Sequence, residues 1–212
     1  METLSAIGSL MGLALASGLR LYSTILATGL GIRLGFLEVP ERLTHLSVLA
    51  ETPVLIVAGV LYVVEFVADK IPWVDTLWDT IHTLVRPLGA AVVAATAVGP
   101  VDPGVRLSAF LLSGAIAFTG HSAKAGTRLA ANQSPEPFSN IGLSLAEDGL
   151  VLGSVWLALQ HPIVALVIVV VVVGLILWLL PKVYRMFKRQ AGRIRNLFHG
   201  QFSSGNPKSS SN

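Results

Sequence analysis

Residues 163–180 form an unbroken run of Val, Ile, Leu, Ala, Gly and Trp, with no side chain able to carry a charge. A run of that length matches the hydrocarbon thickness of a bilayer, and little else can solvate it. The rest of the chain agrees. Apolar residues make up 53% of the 212 and charged ones 13%, where a water-soluble domain carries about 25% charged residues. Mean hydropathy is +0.70. Too little charge is present to cover a globular surface, so the sequence predicts an all-α integral membrane protein.

Apolar runs and breaks set the expected segments. The first covers residues 4–34, with Ser17-Gly18-Leu19-Arg20 in its middle. It reads as an uncleaved membrane segment, because no Lys or Arg precedes it and it continues far past Ala14-Leu15-Ala16. The second covers 53–68 and carries Glu65 near its end. Residues 73–86 read as an amphipathic helix: Trp73, Leu77, Ile81 and Leu84 lie on one face, and Asp75, Asp79, His82 and Arg86 on another. That helix is expected at the membrane interface, with its acids in water and its tryptophans in the headgroup layer. Pro87 to Val98 is a short third segment that continues the helix through a kink. After the Gly99-Pro100-Val101-Asp102-Pro103-Gly104 turn come segments at 106–131, 141–159 and 163–180. The transmembrane domain is thus 1–181, followed by a basic juxtamembrane helix at 182–199 and a disordered Ser/Gly/Asn tail at 200–212.

Charge is unevenly placed. Seven of the 15 basic residues and none of the 12 acidic ones lie from Lys182 onward. A basic cluster beside the last span predicts contact with anionic lipid and a cytoplasmic C-terminus. It offers no folded basic face for nucleic acid. Counting back through six crossings puts Lys70, Arg86, Lys124 and Arg128 inside, and the turns at 99–104 and 160–162 outside.

Three segments per half predict two inverted halves, 1–99 and 104–181. A faint repeat supports a duplication: Gly12 and Ser17-Gly18 match Gly114 and Thr119-Gly120 at an offset of 102. Glycine-interrupted helices in corresponding positions point to a midplane site in transporters. Charges within spans are costly and turn toward a shared interior. Candidate binding residues for a small ion or solute are therefore Gly18, Arg20, Glu65, Asp69, Gly120, Glu147 and Asp148. Arg20 is expected either to tune these carboxylates or to neutralise one of them in a buried pair, while Glu147 and Asp148 outnumber an obvious partner. Asp75, Asp79, His82 and Arg86 form a polar-face network, and Asp69, Asp75, Asp79 and His82 suit a metal by residue type. Lys124 is expected to snorkel.

The stretch from Glu65 to Pro87, with Asp69, Lys70, Pro72, Asp75, Trp78, Asp79, His82 and Arg86, resembles the signature of a family of bacterial membrane proteins termed domain of unknown function 4126. Ser17-Gly18-Leu19-Arg20 and the residues from Gly120 to Lys124 are also similar to it. The resemblance covers the chain up to its basic tail. It implies a multi-pass protein of the bacterial cytoplasmic membrane and carries no chemistry with it. No hydrolase, zinc or nucleotide motif is present, no cysteine occurs, and no cofactor is expected. A small transporter or channel-like protein is one reading; a non-catalytic scaffold or lipid-organising protein is the other.

Overall fold

A single residue redirects the first apolar run. In a computed structural model describing residues 2–131, 137–179 and 181–182, helix α1 (Glu2–Leu19) ends and α2 (Leu21–Arg33) begins on either side of Arg20. The Arg20 backbone is extended (φ −150°, ψ 100°), and the chain turns back there. A ten-residue 3-10 segment, Glu41–Ala50, follows. Next come α3 (Thr52–Ala68), α4 (Pro72–Ala97), α5 (Pro103–Ala131), α6 (Pro137–Gln160) and α7 (Pro162–Leu179). No strand occurs among the described residues.

The 3-10 segment caps one end of the bundle and shows which way each helix runs. Arg42 reaches Glu2 at the start of α1 at 3.3 Å. His45 lies against Gly99 past the end of α4, and the Leu49 carbonyl against Gly29 near the end of α2. The side-chain amide of Gln160, at the end of α6, donates to the Phe36 carbonyl at 3.4 Å. The Pro162 carbonyl, at the start of α7, faces Gly8. Gly99 has φ +65°, a left-handed conformation open to glycine, and an added Cβ would collide with His45.

Residues 4–34 are not one straight helix: α1 leads away from the capped end and α2 returns to it. The structure does not confirm inverted halves: α1 and α5 both start at the capped end, so the matching Gly12–Gly18 and Gly114–Gly120 stretches run in the same direction. The reversal escapes a sequence reading because an apolar run of about thirty residues carries no mark of it when one extended residue suffices to make it.

Residues 1–173 form one compact unit. Its inner helix is α1, with eleven buried residues among 18; a helix apolar on every side belongs inside. It packs against α4, α5 and α6. The core joins Leu10, Leu13, Leu43, Leu46, Ala94, Ala97, Val151 and Val155. The second unit, from Gly174 onward, contains the end of α7, with Lys182 Nζ 3.0 Å above the Trp178 ring. The expected juxtamembrane helix beyond Lys182 and the tail at 200–212 lie outside the described residues.

The outer surface is apolar. Val60 and Val63 on α3, Leu77 and Leu84 on α4, Leu107 and Leu111 on α5, and Val167 and Val170 on α7 are all exposed. Among the described residues, four helices are long and apolar enough to cross a bilayer, or five if the 3-10 segment and α3, bent by 67°, form one span. α4 is a single helix of 26 residues running through Pro87, as a kinked continuation requires, although proline removes one backbone hydrogen bond there. Its amphipathicity points the opposite way from the interface expectation. Trp73 is 88% exposed, whereas Asp75 is 1% and Arg86 0% exposed. The polar face looks inward because hydrocarbon, not water, suits the outside.

A buried network of ion pairs

The turn at Arg20 brings a guanidinium into the bundle with no exposed surface. Its Nε donates to Glu147 Oε2 at 3.3 Å and its Nη1 to Asp148 Oδ1 at 2.9 Å. Nη2 donates to Ser144 Oγ at 2.6 Å and to Asp69 Oδ2. Most of its five N–H groups are therefore used. Asp69 sits at the end of α3, while Ser144, Glu147 and Asp148 share one face of α6 at helical spacing. Tyr62 donates to the remaining Asp148 oxygen at 3.4 Å.

Glu147 takes two further cations from α5. Arg128 binds it with two hydrogen bonds of 3.0 Å, the forked arrangement that suits guanidinium to carboxylate. Lys124 Nζ lies 3.1 Å from Glu147 Oε2. Arg128 also stands 3.6 Å from Asp69 and 3.8 Å from Asp75, linking α3, α4, α5 and α6.

Arg86 organises a second centre. Its Nη2 donates to Glu65 Oε1 at 2.7 Å and its Nη1 to Asp79 Oδ1 at 3.0 Å. Nη1 also lies 2.7 Å from His121 Nδ1. Because arginine only donates, Nδ1 accepts and the imidazole proton sits on Nε2, which donates to Thr83 Oγ1 at 3.1 Å. Thr83 in turn donates to the Asp79 carbonyl at 3.0 Å. His121 is thus held neutral, as the ε tautomer, between two fixed partners. His82 has the opposite tautomer: Nδ1 donates to the Trp78 carbonyl at 2.8 Å, and Nε2 accepts from Tyr22 at 3.1 Å.

The structure therefore gathers Arg20, Glu65, Asp69, Asp75, Asp79, Arg86, Glu147 and Asp148 into one interior. Arg20 holds Asp69, Glu147 and Asp148, while Glu65 belongs to Arg86. Glu147 has three cationic partners, because the polar stripe His121, Lys124, Arg128 (i, i+3, i+7) faces inward along α5. That stripe was legible as a helical face, but a lysine near a helix end also fits snorkelling. Lys124 is in fact 2% exposed. His82 lies with Tyr22 and Trp78, so it does not join Asp75 and Asp79. Among the described residues, no group of three His, Cys, Asp or Glu side chains could hold a metal ion.

Gly18 and Gly120 let α1 and α5 touch. A Cβ on Gly18 would collide with the Ala117 carbonyl, its carbon only 2.9 Å away, and one on Gly120 would lie 3.1 Å from the Leu15 oxygen. α5 continues unbroken through Gly120, so only the first of the two expected helix breaks exists, and it falls at Arg20.

Six carboxylates (Glu65, Asp69, Asp75, Asp79, Glu147, Asp148) meet four cations (Arg20, Arg86, Lys124, Arg128) in this network. Both Asp75 oxygens, Glu65 Oε2 and Asp69 Oδ1 are buried with no hydrogen-bond partner. A cavity of about 120 Å³ opens beside Asp75, Asp79 and Arg128. In the α3–α4 connection, Lys70 stays apart from the network, 3.0 Å above the Phe66 ring, and desolvation lowers its pKa below the ordinary lysine value.

No curated protein and no solved structure matches the chain. Residues 7–182 match the family described as domain of unknown function 4126, a region that takes in every charged residue of the network, and the chain belongs to that family.

Proposed function

We propose that this protein is a bilayer-embedded transporter or channel-like protein for a small ion or solute, and that the network is its translocation site. The supporting observation is the placement of the charges. They run from Asp75 and Arg128, near the ends of α4 and α5, to Glu65, Arg86 and His121. Arg86 lies fourteen residues into α4, about 20 Å along the helix. A string of ionised groups reaching mid-bilayer is expensive to insert, which favours a functional use. Small and hydroxyl side chains fill the helix contacts nearer the capped end, with Ser9, Thr28 and Ser113 buried and without hydrogen-bond partners.

In this reading α3 to α7 cross the membrane and the α1–α2 pair re-enters from the capped end. α5 fits as a crossing at 29 residues, about 43 Å; its hydropathy is lowered by the inward His121, Lys124 and Arg128. Gly18 against Ala117 and Leu15 against Gly120 are the same contact read twice at the offset of 102. Such reciprocity marks a local twofold relating α1 and α5 as a parallel repeat. Orientation follows from basic residues, with the Lys70 end and the basic tail toward the cytoplasm and anionic lipid.

The scaffold reading keeps one observation in its favour: Glu147 is bracketed by Arg20, Lys124 and Arg128, as a purely structural anchor would be. Flux separates the two. Protein reconstituted in vesicles is expected to dissipate an imposed H⁺, Na⁺, K⁺ or NH₄⁺ gradient faster than empty vesicles do. Glu65→Gln should reduce that flux at least about tenfold while the variant still extracts as folded monodisperse protein. Rates equal to those of empty vesicles for all four gradients would leave the scaffold.

A further inference from the structure

We infer that the cavity between α4 and α5 binds a small monovalent cation, an alkali ion or ammonium, with Asp75 as its principal ligand. The inference rests on the transport reading only in naming its cargo; the binding site stands on its own geometry.

Asp75 is 1% exposed, and neither of its carboxylate oxygens has a hydrogen-bond partner. Its nearest cation is Arg128 Nη1 at 3.8 Å, beyond hydrogen-bond reach. Arg128 directs Nε and Nη2 to Glu147, and its Nη1, the nitrogen nearest Asp75, makes no hydrogen bond. A buried carboxylate without donors carries a desolvation cost that a bound cation or a proton must offset.

The other walls of the cavity also present acceptors. Thr80 and Thr83 give their hydroxyl protons to the carbonyls of Thr76 and Asp79, at 2.7 and 3.0 Å, so Thr80 offers the cavity an oxygen with free lone pairs. Asp79 adds a second carboxylate, bound on one oxygen to Arg86. Oxygen ligands of this kind suit hard cations. The charge must be small, because Arg128 lines the same space and, among the described residues, no third carboxylate joins the pair. The cavity, about 120 Å³, accommodates an ion with a few waters. Across the whole network, carboxylates exceed cations by two, so a positive charge here reduces a real imbalance.

The test is thermal unfolding of purified protein in detergent near pH 7.5. NaCl, KCl or NH₄Cl is titrated against N-methylglucamine chloride at constant ionic strength. Binding to the folded state stabilises by RT ln(1 + [L]/Kd). At least one of the three salts should raise Tm saturably, and the rise should disappear in Asp75→Asn and persist in Glu2→Gln at the exposed end of α1. Should Asp75→Asn fail to fold, Thr80→Val at an exposed position is the second variant, with apparent Kd weakened about tenfold. Identical Tm in all four salts, as a protonated Asp75 would give, overturns the inference. So does a shift unaffected by both variants. Saturable binding without vesicle flux would sink the transport reading and leave this site; flux without binding would do the reverse.

Discussion

Arg20→Ala is expected to leave almost no folded protein. The substitution strips Asp69, Glu147 and Asp148 of a shared partner, and two of these have at most 7% of their side-chain surface exposed. Breaking one buried pair by removing a single member costs about 3–5 kcal/mol. That is a large share of the roughly 5–15 kcal/mol that holds a typical domain. Arg20→Lys keeps the charge and loses the fork, so it should fall between wild type and alanine. Arg33→Ala provides the comparison. Arg33 is exposed and donates only to Thr52 at 2.9 Å, and its loss should change stability by less than about 0.5 kcal/mol. Thermal unfolding in detergent, followed by size-exclusion profile, reads all three. Equal melting of the Arg20→Ala and Arg33→Ala proteins would remove the network from any structural role.

The second large effect is expected at the helix crossing. Gly18→Val places a branched side chain where α5 presents the Ala117 carbonyl, with its carbon and Cα both at 2.9 Å from an added Cβ. Backbone cannot yield as a flexible side chain does, so α1 and α5 must separate. Overpacking costs about 1–3 kcal/mol where side chains can shift, and more is expected here. Gly120→Ala, with its nearest neighbour at 3.1 Å, should cost less than Gly18→Ala. At Gly126 nothing stands within 4 Å, so Gly126→Ala should be neutral or stabilise the helix by up to about 1 kcal/mol. A series in which Gly18→Val melts like Gly126→Ala would show that the two helices do not meet at this glycine.

Sequence made the class of solvent legible and most of the charged residues, because charge within apolar runs is rare enough to stand out. Arg20, Glu65, Glu147 and Asp148 were recognisable in this way. Periodicity also found one polar stripe, Asp75-Asp79-His82-Arg86; the second, His121-Lys124-Arg128, has the same helical spacing but reads as a snorkelling helix end. What periodicity lacks is a sign. A helix with one polar and one apolar face is equally consistent with acids in water or with acids in a protein interior under lipid, and α4 takes the second option. Pair assignments were not legible either. Nothing in the spacing of the apolar runs marks which carboxylates Arg20 takes; the reversal there aims its guanidinium at α6 and the end of α3. The reversal itself leaves only a glycine and an arginine as its trace, which also serve a straight span.

The reversal at Arg20 carries its guanidinium into the shared interior and, in the proposed arrangement, places both ends of the α1–α2 pair on one side of the membrane. The chain has no cysteine, so single cysteines report position without background. Glu2 and Arg42 are exposed and form an ion pair at 3.3 Å. Replaced one at a time by cysteine and treated with a membrane-impermeant maleimide on intact cells, both positions should react from the same side. Labelling from opposite sides would mean that residues 4–34 cross the bilayer once, and the structure of the site described above would be wrong.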